Sequence, residues 1–283
     1  MKEIFSANNE VLLGIRRITG NAMALPERYS RYSVLYVPEG KGTYVADFGT
    51  FPFEGPTLLF STPMQQISLQ ANDAINYTMI QFHGDFYCIE YHKAQVSCNG
   101  LLFNNIYIEP SVKLTAYECG LFGYLLEQIE KECNEAVADE VVLRSYLQLF
   151  LAKSSSIKIR TMTSSQYQLE KDEQMERFKE LLEEHYLDLH KPNDYARLLA
   201  MTPNNFTKRC TRYFKKAPSA IIQERLILEA KKKLHLTRQS IKEIAYALNF
   251  SDEYYFSRFF KKFTKVSPQA FRDHTGISLV ADI

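Results

Sequence analysis

A repeat in the last third of this chain constrains its fold more than any other feature of the sequence. Three residues recur at an offset of 50: Phe206 as Phe256, Lys208 as Arg258 and Pro218 as Pro268. Two earlier residues recur at an offset of 49: Ala196 as Ala245 and Leu199 as Leu248. Each copy therefore contains two matching segments, and the connection between them is one residue longer in the second copy.

The second copy has the pattern of two short helices around a tight turn. Ser240 and Glu243 form a capping-box pattern at its start, and Asn249 tolerates the left-handed conformation in which helices often end. Ser251 is predicted to cap the next helix. The apolar faces carry Ile241, Ile244, Ala245 and Leu248 in the first helix and Phe256, Phe259, Phe260 and Phe263 in the second. This pattern predicts a helix-turn-helix of the kind that enters DNA grooves.

The first copy shows the same two helices with different start signals. Thr202 and Pro203 supply an N-cap and a proline at the first helical position. We call the two predicted helix-turn-helix units the first repeat (193–216) and the second repeat (240–263). A linker helix within 218–236, with about 16 helical residues and therefore about 24 Å long, would place their second helices about one duplex turn, roughly 34 Å, apart. One chain is then expected to read two successive major grooves of double-stranded DNA.

Helical periodicity also separates core positions from positions that would contact DNA. Asn pairs well with adenine, and Arg or Lys pairs well with guanine or phosphate. Asp252 and Glu253 suit a helix N-terminus but repel phosphate, so the first repeat is expected to do more of the base reading. The predicted contacts are Asn204, Asn205, Thr207, Lys208 and Arg212 in the first repeat and Glu253, Tyr254, Ser257, Arg258 and Lys261 in the second.

Three stretches between residues 240 and 272, SIKEIAYALNF, YFSRFFKK and SPQAFR, closely resemble the C-terminal signature of the AraC/XylS family of bacterial transcription regulators. About a hundred residues, from Met175 to His274, fit that family's DNA-binding domain. One departure is Ala200, where the family commonly has Gly or Asn. The tight turn between Leu199 and Thr202 nevertheless predicts a left-handed conformation at this position. The resemblance implies a cytoplasmic transcription regulator that changes the access of RNA polymerase. We expect an activator, and the alternative of a repressor stays open. Its N-terminal part is then expected to be a cupin-like barrel that binds a small-molecule effector.

Residues 1 to about 110 contain short β-branched and aromatic runs, interrupted every 8–12 residues by Gly, Pro, Asn or Asp, as in antiparallel sandwiches and small barrels. The predicted fold class is a two-domain α+β protein. It combines a cupin-like antiparallel β barrel carrying a helix pair (1–152), a linker rich in Ser, Thr and Gln (153–172), and an all-α DNA-binding domain with the two helix-turn-helix units (173–283). Aromatic residues that are candidates to line a pocket are Tyr32, Tyr36, Tyr44, Phe48, Phe60, Tyr77 and Phe82.

Between residues 114 and 151 the apolar period becomes helical. One predicted stripe carries Leu114, Tyr117, Leu121, Leu125 and Ile129, and another carries Val142, Tyr146, Leu149 and Phe150. Such a helix pair either covers the barrel or, as the resemblance implies, packs on its twin to form a homodimer. Both interpretations stay open at this point.

Net charge separates the two halves of the chain. Residues 1–155 carry 11 Lys+Arg against 17 Asp+Glu, a net charge of −6, and residues 191–283 carry 18 against 8, a net charge of +10. An acidic front joined to a basic back is typical of a sensor attached to a polyanion-binding module.

Neither a metal nor a cofactor is predicted. His83 and His92 lie nine residues apart in the strand region, without the HxH and carboxylate spacing of a cupin metal site. The five cysteines form no CxxC pair and are expected to be reduced, and no apolar run reaches the roughly 18 residues of a membrane helix. Catalysis is not expected. Two alternatives remain: a cupin-type enzyme fused to a DNA-binding domain, and a DNA-binding regulator without an effector.

Overall fold

The computed structural model describes residues 2–5, 11–20, 25–47, 49–87, 101–103, 106–135, 137–163, 172–214 and 216–277. The chain divides into two compact units. The N-terminal unit comprises residues 1–105 and 109–162, and the C-terminal unit comprises residues 106–108 and 163–283. Each unit has a hydrophobic core of its own.

The described strands of the N-terminal unit form two antiparallel sheets. Their bounds are β1 Lys2–Phe5, β2 Val11–Ile18, β3 Glu27–Arg28, β4 Tyr32–Val37, β5 Lys41–Ala46, β6 Gly49–Glu54, β7 Thr57–Ser61, β8 Gln66–Gln70, β9 Tyr77–Phe82 and β10 Ser111–Lys113. The larger sheet has the order β1-β2-β9-β4-β7-β10, and the smaller sheet has the order β3-β8-β5-β6. The antiparallel architecture predicted from the strand spacing is confirmed, while closure into a cupin-like barrel stays a prediction.

The central strands of the larger sheet are buried on both faces. All the residues of β4 are buried, as expected for a strand with a continuous apolar run rather than an alternating one. Val34 and Tyr36 belong to one core, whereas Leu35 and Val37 belong to the core shared with the smaller sheet. Because side chains alternate along a strand, a single strand contributes to both cores.

The aromatic residues predicted to line one pocket are divided between these two cores. Of the described ones, Tyr44 and Tyr77 lie between the sheets, and the others lie in the core on the opposite face of the larger sheet, namely Tyr32, Tyr36, Phe60 and Phe82. Phe48 lies outside the described residues. The described aromatic residues therefore do not all border the same core, because side chains alternate between the two faces along each strand, and a pocket in this unit stays a prediction.

Two helices, α1 (Ala116–Glu132) and α2 (Glu140–Thr163), cover the larger sheet on the face away from the smaller one. Thr115 caps α1 in a capping box with Glu118. The rings of Phe122 and Phe150 meet edge to face, with 4.7 Å between their centroids. The helix pair therefore covers a sheet, which was one of the two interpretations left open above.

Two details of this helix pair correct the prediction. Tyr117 is 82% exposed and Leu149 is 43% exposed, whereas Leu125 and Ile129 of the predicted α1 stripe are buried. The residues that pack on the sheet beside them lie one position away from the predicted stripes, namely Phe122, Leu126, Leu143, Leu147 and Leu151. The helical period was right, but the direction of the buried face depends on the sheet, which the helical sequence does not specify.

The end of α2 also differs from the prediction. Residues 153–163, assigned above to the linker, are helical. Ser154 is buried and donates to the Phe150 carbonyl, and the Lys158 ammonium donates to the Glu109 carbonyl at 2.8 Å and to the Ser111 carbonyl. Burial lowers the pKa of Lys158 to about 8, although Glu109 acts in the opposite direction. The polar composition of residues 153–163 suggested a linker, but these residues form a helix in which Ser154 and Lys158 donate hydrogen bonds to backbone carbonyl groups.

The C-terminal unit is helical. Its bounds are α3 Glu173–His185, α4 Pro192–Leu198, α5 Pro203–Phe214, α6 Pro218–Leu236, α7 Ile241–Ala247, α8 Glu253–Thr264 and α9 Pro268–Thr275. Phe178 of α3 meets Tyr195 and Phe206 edge to face, at centroid distances of 5.4 and 5.0 Å. Residues 106–108 join this unit through Tyr107, whose hydroxyl donates to the Glu183 carboxylate at 2.9 Å.

The start of α3 is fastened to α5 by one carboxylate. Asp172 is the N-cap of α3 and accepts from the backbone N–H groups of Gln174 and Met175 at 3.1 and 3.3 Å. The Nε of Arg209, on α5, donates to the same carboxylate at 3.0 Å. Burial alone would raise the pKa of Asp172, but the hydrogen bonds from Arg209 and from the two N–H groups hold it below its ordinary value.

The turns of the two repeats have the same backbone hydrogen bonds. In the first, Ala200 N donates to Arg197 O and Met201 N to Ala196 O, and in the second, Asn249 N donates to Tyr246 O and Phe250 N to Ala245 O. These are the paired bonds of the Schellman motif, which needs a left-handed residue after the helix. Ala200 has φ +53° and Asn249 has φ +58°, as predicted for both positions.

The helix starts mostly follow the predicted signals. The capping box of Ser240 and Glu243 is confirmed, and Thr202 Oγ1 accepts from Asn205 N at 3.3 Å where α5 begins with Pro203. The prediction that Ser251 caps α8 was wrong, since Asp252 is the N-cap and accepts from Tyr255 N at 2.7 Å. Ser and Asp are comparable N-cap residues, so residue type did not distinguish Ser251 from Asp252. The second turn is one residue longer than the first, and this shifts the N-cap to Asp252.

We expect Ala200→Gly to stabilise the protein by about 0.5–1 kcal/mol. Glycine removes the cost of a left-handed Cβ, and the greater entropy of its unfolded chain offsets part of this gain. Ala247→Gly is the matched control, since Ala247 is exposed like Ala200 but ends α7 with an ordinary helical φ, and it should destabilise by about 0.5–1 kcal/mol. Urea denaturation followed by circular dichroism measures both. A destabilising Ala200→Gly would contradict the turn geometry.

We expect Asp172→Asn to destabilise the helical unit by about 1–3 kcal/mol at pH 7, because asparagine still caps a helix but loses the charge that pairs with Arg209. Since the folded pKa of Asp172 is depressed, this stabilisation is complete above the unfolded pKa of about 3.9 and is lost as the pH falls through the folded pKa. The difference between wild type and variant should therefore shrink below about pH 4.

The control is Asp194→Asn on α4. Asp194 pairs with Arg197 at 3.0 Å, but Arg197 is 78% exposed. An exposed pair contributes about 0–1 kcal/mol. Denaturation curves at several pH values compare the two variants. Equal, pH-independent effects of both would show that the bond between Asp172 and Arg209 contributes nothing specific.

Candidate nucleic-acid interface

The two faces of α5 have opposite character. Phe206, Cys210 and Phe214 recur every fourth residue and are buried in the core of the C-terminal unit. The five positions predicted to contact DNA in the first repeat are all exposed, namely Asn204, Asn205, Thr207, Lys208 and Arg212. The helix thus presents amides, a hydroxyl and two cations on the side opposite its apolar stripe.

Some of these groups already have partners on the protein. The Thr207 hydroxyl donates to the Pro203 carbonyl at 2.9 Å. Arg212 is 76% exposed, and its guanidinium lies 4.0 Å from the Asp172 carboxylate, which is bonded to Arg209. Arg209 faces that carboxylate rather than solvent. Because Asp172 and Arg209 are 37 residues apart, no local pattern in the sequence could have assigned this arginine a structural role.

The exposed face of α8 is more aromatic. Tyr254 is 77% exposed, Arg258 and Lys261 are exposed, and Glu253 and Ser257 are half-buried, which makes these last two less accessible than predicted. The prediction omitted Tyr255, 52% exposed, and Lys262, also exposed. Positions 255, 258 and 262 follow a helical period, so a wider helical face would have included both.

Charge differs at the starts of the two helices. The first turn of α5 contains no acidic residue, whereas α8 begins with Glu253 directly after the N-cap Asp252. The positive end of a helix dipole attracts phosphate, and a carboxylate in the same place competes with it. The first repeat therefore has the better electrostatics for phosphate, and the greater share of base reading assigned to it stays a prediction.

The linker helix α6 is bonded to the helices that flank the two repeats, α3 and α9. Arg225 donates to Glu183 at 2.9 Å and to Glu229 at 3.1 Å, and its guanidinium lies 3.8 Å from the centre of the Tyr186 ring. Arg225 is only 13% exposed, so its bond to Glu229 is largely shielded from solvent. At the other end, Arg272 of α9 donates to the Leu234 carbonyl at 3.0 Å, where α6 ends. With 19 residues, α6 is about 28 Å long.

The histidine and cysteine positions were weighed above as metal ligands. His83 is buried, with Nδ1 3.4 Å from the Asp85 carboxylate, and His92 lies outside the described residues. Cys119, Cys133 and Cys210 are free thiols. Within the described part of the chain, no group of three or more His, Cys, Asp or Glu could hold a metal ion. No helix among the described residues is long and apolar enough to cross a membrane.

A family model described as a helix-turn-helix domain matches residues 195–274. No curated protein matches the chain significantly. The structure of ToxT from Vibrio cholerae is similar at 14% identity and a TM-score of 0.42, with 93% of this chain and 97% of that chain covered. The C-terminal domain of AraT, a response regulator from Geobacillus stearothermophilus, is similar at 24% identity and a TM-score of 0.36, with 39% and 93% covered.

A transcriptional regulator from Chromobacterium violaceum, described as AraC-type, is similar at 20% identity and a TM-score of 0.34, with 36% of this chain and 92% of that chain covered. These identities and scores are low, so the assignment depends on the family model and on the geometry of the C-terminal unit. The matched residues contain both turns, both exposed helices and α6, and the resemblance seen in the sequence is confirmed for them. Residues 195–274 therefore form a helix-turn-helix domain.

Proposed function

We propose that this protein is a sequence-specific DNA-binding transcription regulator. The observation that carries the proposal is the pair of helix-turn-helix repeats with identical turn hydrogen bonds, joined by one continuous helix. Each repeat buries the apolar stripe of its second helix and exposes the opposite face. A major groove admits one such helix, and a helix of about 28 Å between the repeats suits two successive grooves on one side of a duplex.

Recognition is assigned to the exposed side chains of α5 and α8. Lys208 and Arg258 are equivalent in the two repeats and are suited to guanine edges, while Asn204 and Asn205 are suited to adenine. Arg212 and Lys261 lie one turn further along their helices, where phosphate contacts fix the register without reading bases. The net charge of +10 over residues 191–283 supports binding to a polyanion.

Regulation is assigned to the N-terminal unit. This unit is compact by itself, and residues 1–155 carry a net charge of −6, which makes it unsuited to phosphate contact. We assign it the binding of a small-molecule effector that has different affinities for two arrangements of the protein, since only such a difference shifts an equilibrium. The shift changes the occupancy of DNA and the access of RNA polymerase. Chromosomal DNA as the target implies a cytoplasmic location.

The helix pair of the N-terminal unit also supports a homodimer. Tyr117, Tyr124 and Leu149 remain 82%, 57% and 43% exposed on helices that have already buried another face on the sheet. Exposed aromatic and aliphatic side chains at helical spacing are typical of helix–helix interfaces. A second copy of the chain is the occupant assigned to this face, and covering the sheet and forming a dimer use different sides of the same helices.

Alanine substitutions test the reading of DNA by the two repeats. On a site selected from random DNA, Lys208→Ala and Arg258→Ala should each cost about 1–3 kcal/mol of binding free energy, and each should relax base preference in a different half of the site. Lys113→Ala is the control, because Lys113 is 71% exposed on the N-terminal unit. Quantitative footprinting on variants of the selected site measures these effects.

The same binding assay over a range of salt concentrations tests the polyanion contact. With six to ten phosphates neutralised, affinity should fall by roughly 10³–10⁵ between about 50 and 200 mM salt. A salt-independent affinity would contradict the proposed function. A uniform loss for Lys208→Ala on every sequence would reassign Lys208 to phosphate.

A further inference from the structure

The two repeats differ at two positions that are otherwise equivalent. Phe250 of the second turn makes the same backbone bond as Met201 of the first, since each N–H donates to the carbonyl of an alanine in the preceding helix. Phe259 lies at an offset of 50 from Arg209, whose guanidinium bonds the N-cap of α3. The second repeat thus carries aromatic rings where the first carries a thioether and a cation. These departures indicate where the second repeat has contacts that the first lacks.

Phe250 is buried within a group of aromatic rings. Its ring centroid lies 5.7, 5.3 and 5.2 Å from those of three residues on α8, namely Tyr255, Phe256 and Phe259. A fourth ring comes from outside the second repeat, because the His190 imidazole lies 5.7 Å from the Phe250 ring at an interplanar angle of 39°. His190 therefore contacts the residue against which α8 packs.

His190 belongs to the loop between α3 and α4, residues 186–191, and this loop is fixed to the first repeat. Tyr195 of α4 is buried, and its hydroxyl donates to the Leu189 carbonyl at 2.8 Å. The Leu189 side chain packs against the core of the C-terminal unit, and His190 Nε2 lies 3.0 Å from the Leu187 carbonyl. The position of the His190 ring is therefore set by α4 and by the loop itself.

Two more contacts join the second repeat to the same region. Asn249, the left-handed residue of the second turn, donates to the Asp188 carboxylate at 3.5 Å, a long hydrogen bond. Phe259 packs against a core built from residues of α3, α4, α5 and α6. We call these three contacts the repeat seam: His190 with Phe250, Asp188 with Asn249, and Phe259 with that core.

The repeat seam restricts a motion that α6 alone permits. A helix fixes the distance between its ends, but the second repeat follows α6 through residues 237–240, which are not helical. A few residues between two elements can absorb the backbone changes of a hinge. The repeat seam acts away from this connection, and closely packed rings have few alternative arrangements. Rotation of the second repeat about the end of α6 would break all three contacts.

We propose that the repeat seam holds α8 in one orientation relative to α5, and that His190 is its positioning residue. The inference rests on the proposed function, since it explains how two repeats bind one DNA site as a unit. When only a fraction of the molecules has the binding arrangement, the apparent affinity for the whole site falls in proportion to that fraction. A half-site contacted by one repeat does not require this arrangement, so its affinity stays unchanged.

Binding of the full-length protein to two duplexes tests the repeat seam. One duplex carries the full selected site, and in the other the half contacted by the second repeat is scrambled. His190→Ala should bind the full site about 5- to 10-fold more weakly than wild type and the half-site within about twofold. His190→Phe keeps a ring against Phe250 and should bind both like wild type. The control is His185→Ala at the end of α3, where the imidazole lies 3.7 Å from Glu184, and it should change neither affinity.

A full site with one extra base pair between its halves gives a second readout. The insertion separates the halves by about 3.4 Å and rotates one relative to the other by about a tenth of a turn. Wild type should lose more affinity on this duplex than His190→Ala does, because a second repeat without the repeat seam can turn to follow the displaced half. A general structural role of His190 would lower the folded fraction and weaken binding to every duplex alike, without changing the ratios of affinities.

Three results would overturn the inference: an unchanged full-site affinity for His190→Ala, equal losses on the full site and the half-site, or a loss for His190→Phe as large as for His190→Ala. If wild type prefers the full site to the half-site and His190→Ala keeps that preference, the inference fails and the proposed function stands. If wild type binds the two duplexes equally, the second repeat does not read DNA, and the inference fails together with that part of the proposed function.

Discussion

The exposed surface of the C-terminal unit depends on one backbone constraint, the left-handed residue that follows the first helix of each repeat. Ala200 and Asn249 take positive φ values and allow the two bonds that close each Schellman turn. The chain then reverses within a few residues, so that Phe206 and Phe256 enter the core and the opposite faces of α5 and α8 remain outside. The placement of every proposed DNA contact follows from this reversal.

Satisfied polar groups add to the apolar packing of α6, whose Ile221, Ile222 and Leu226 lie in the core of the C-terminal unit. Arg225 joins α3 and α6 through two carboxylates and a tyrosine ring, and Arg272 bonds the carbonyl at the end of α6. Removing one partner of such a network would leave buried charges unpaired, which makes alternative arrangements unfavourable. We infer that α6 and its contacts with α3 and α9 set the distance between the two DNA-contacting helices before any DNA is bound.

Local signals in the sequence predicted local structure well. The capping box at Ser240 and the left-handed positions at Ala200 and Asn249 are decided by neighbours a few residues away, and the structure bears them out. Features decided by distant partners could not be predicted. The bond between Asp172 and Arg209 spans 37 residues, and the exposure of Tyr117 depends on which helix face meets the sheet.

The central claim is that α6 fixes two DNA-reading repeats at one spacing. Binding should be compared on a selected site with 0, 5 or 10 base pairs inserted between the two halves that the repeats contact. A rigid α6 cannot lengthen, so both insertions should lower the affinity to that of a site with one half alone. If a 10-base-pair insertion restores the affinity lost with 5, the repeats are flexibly tethered. If neither insertion has an effect, the second repeat does not read DNA, and either result would contradict the account.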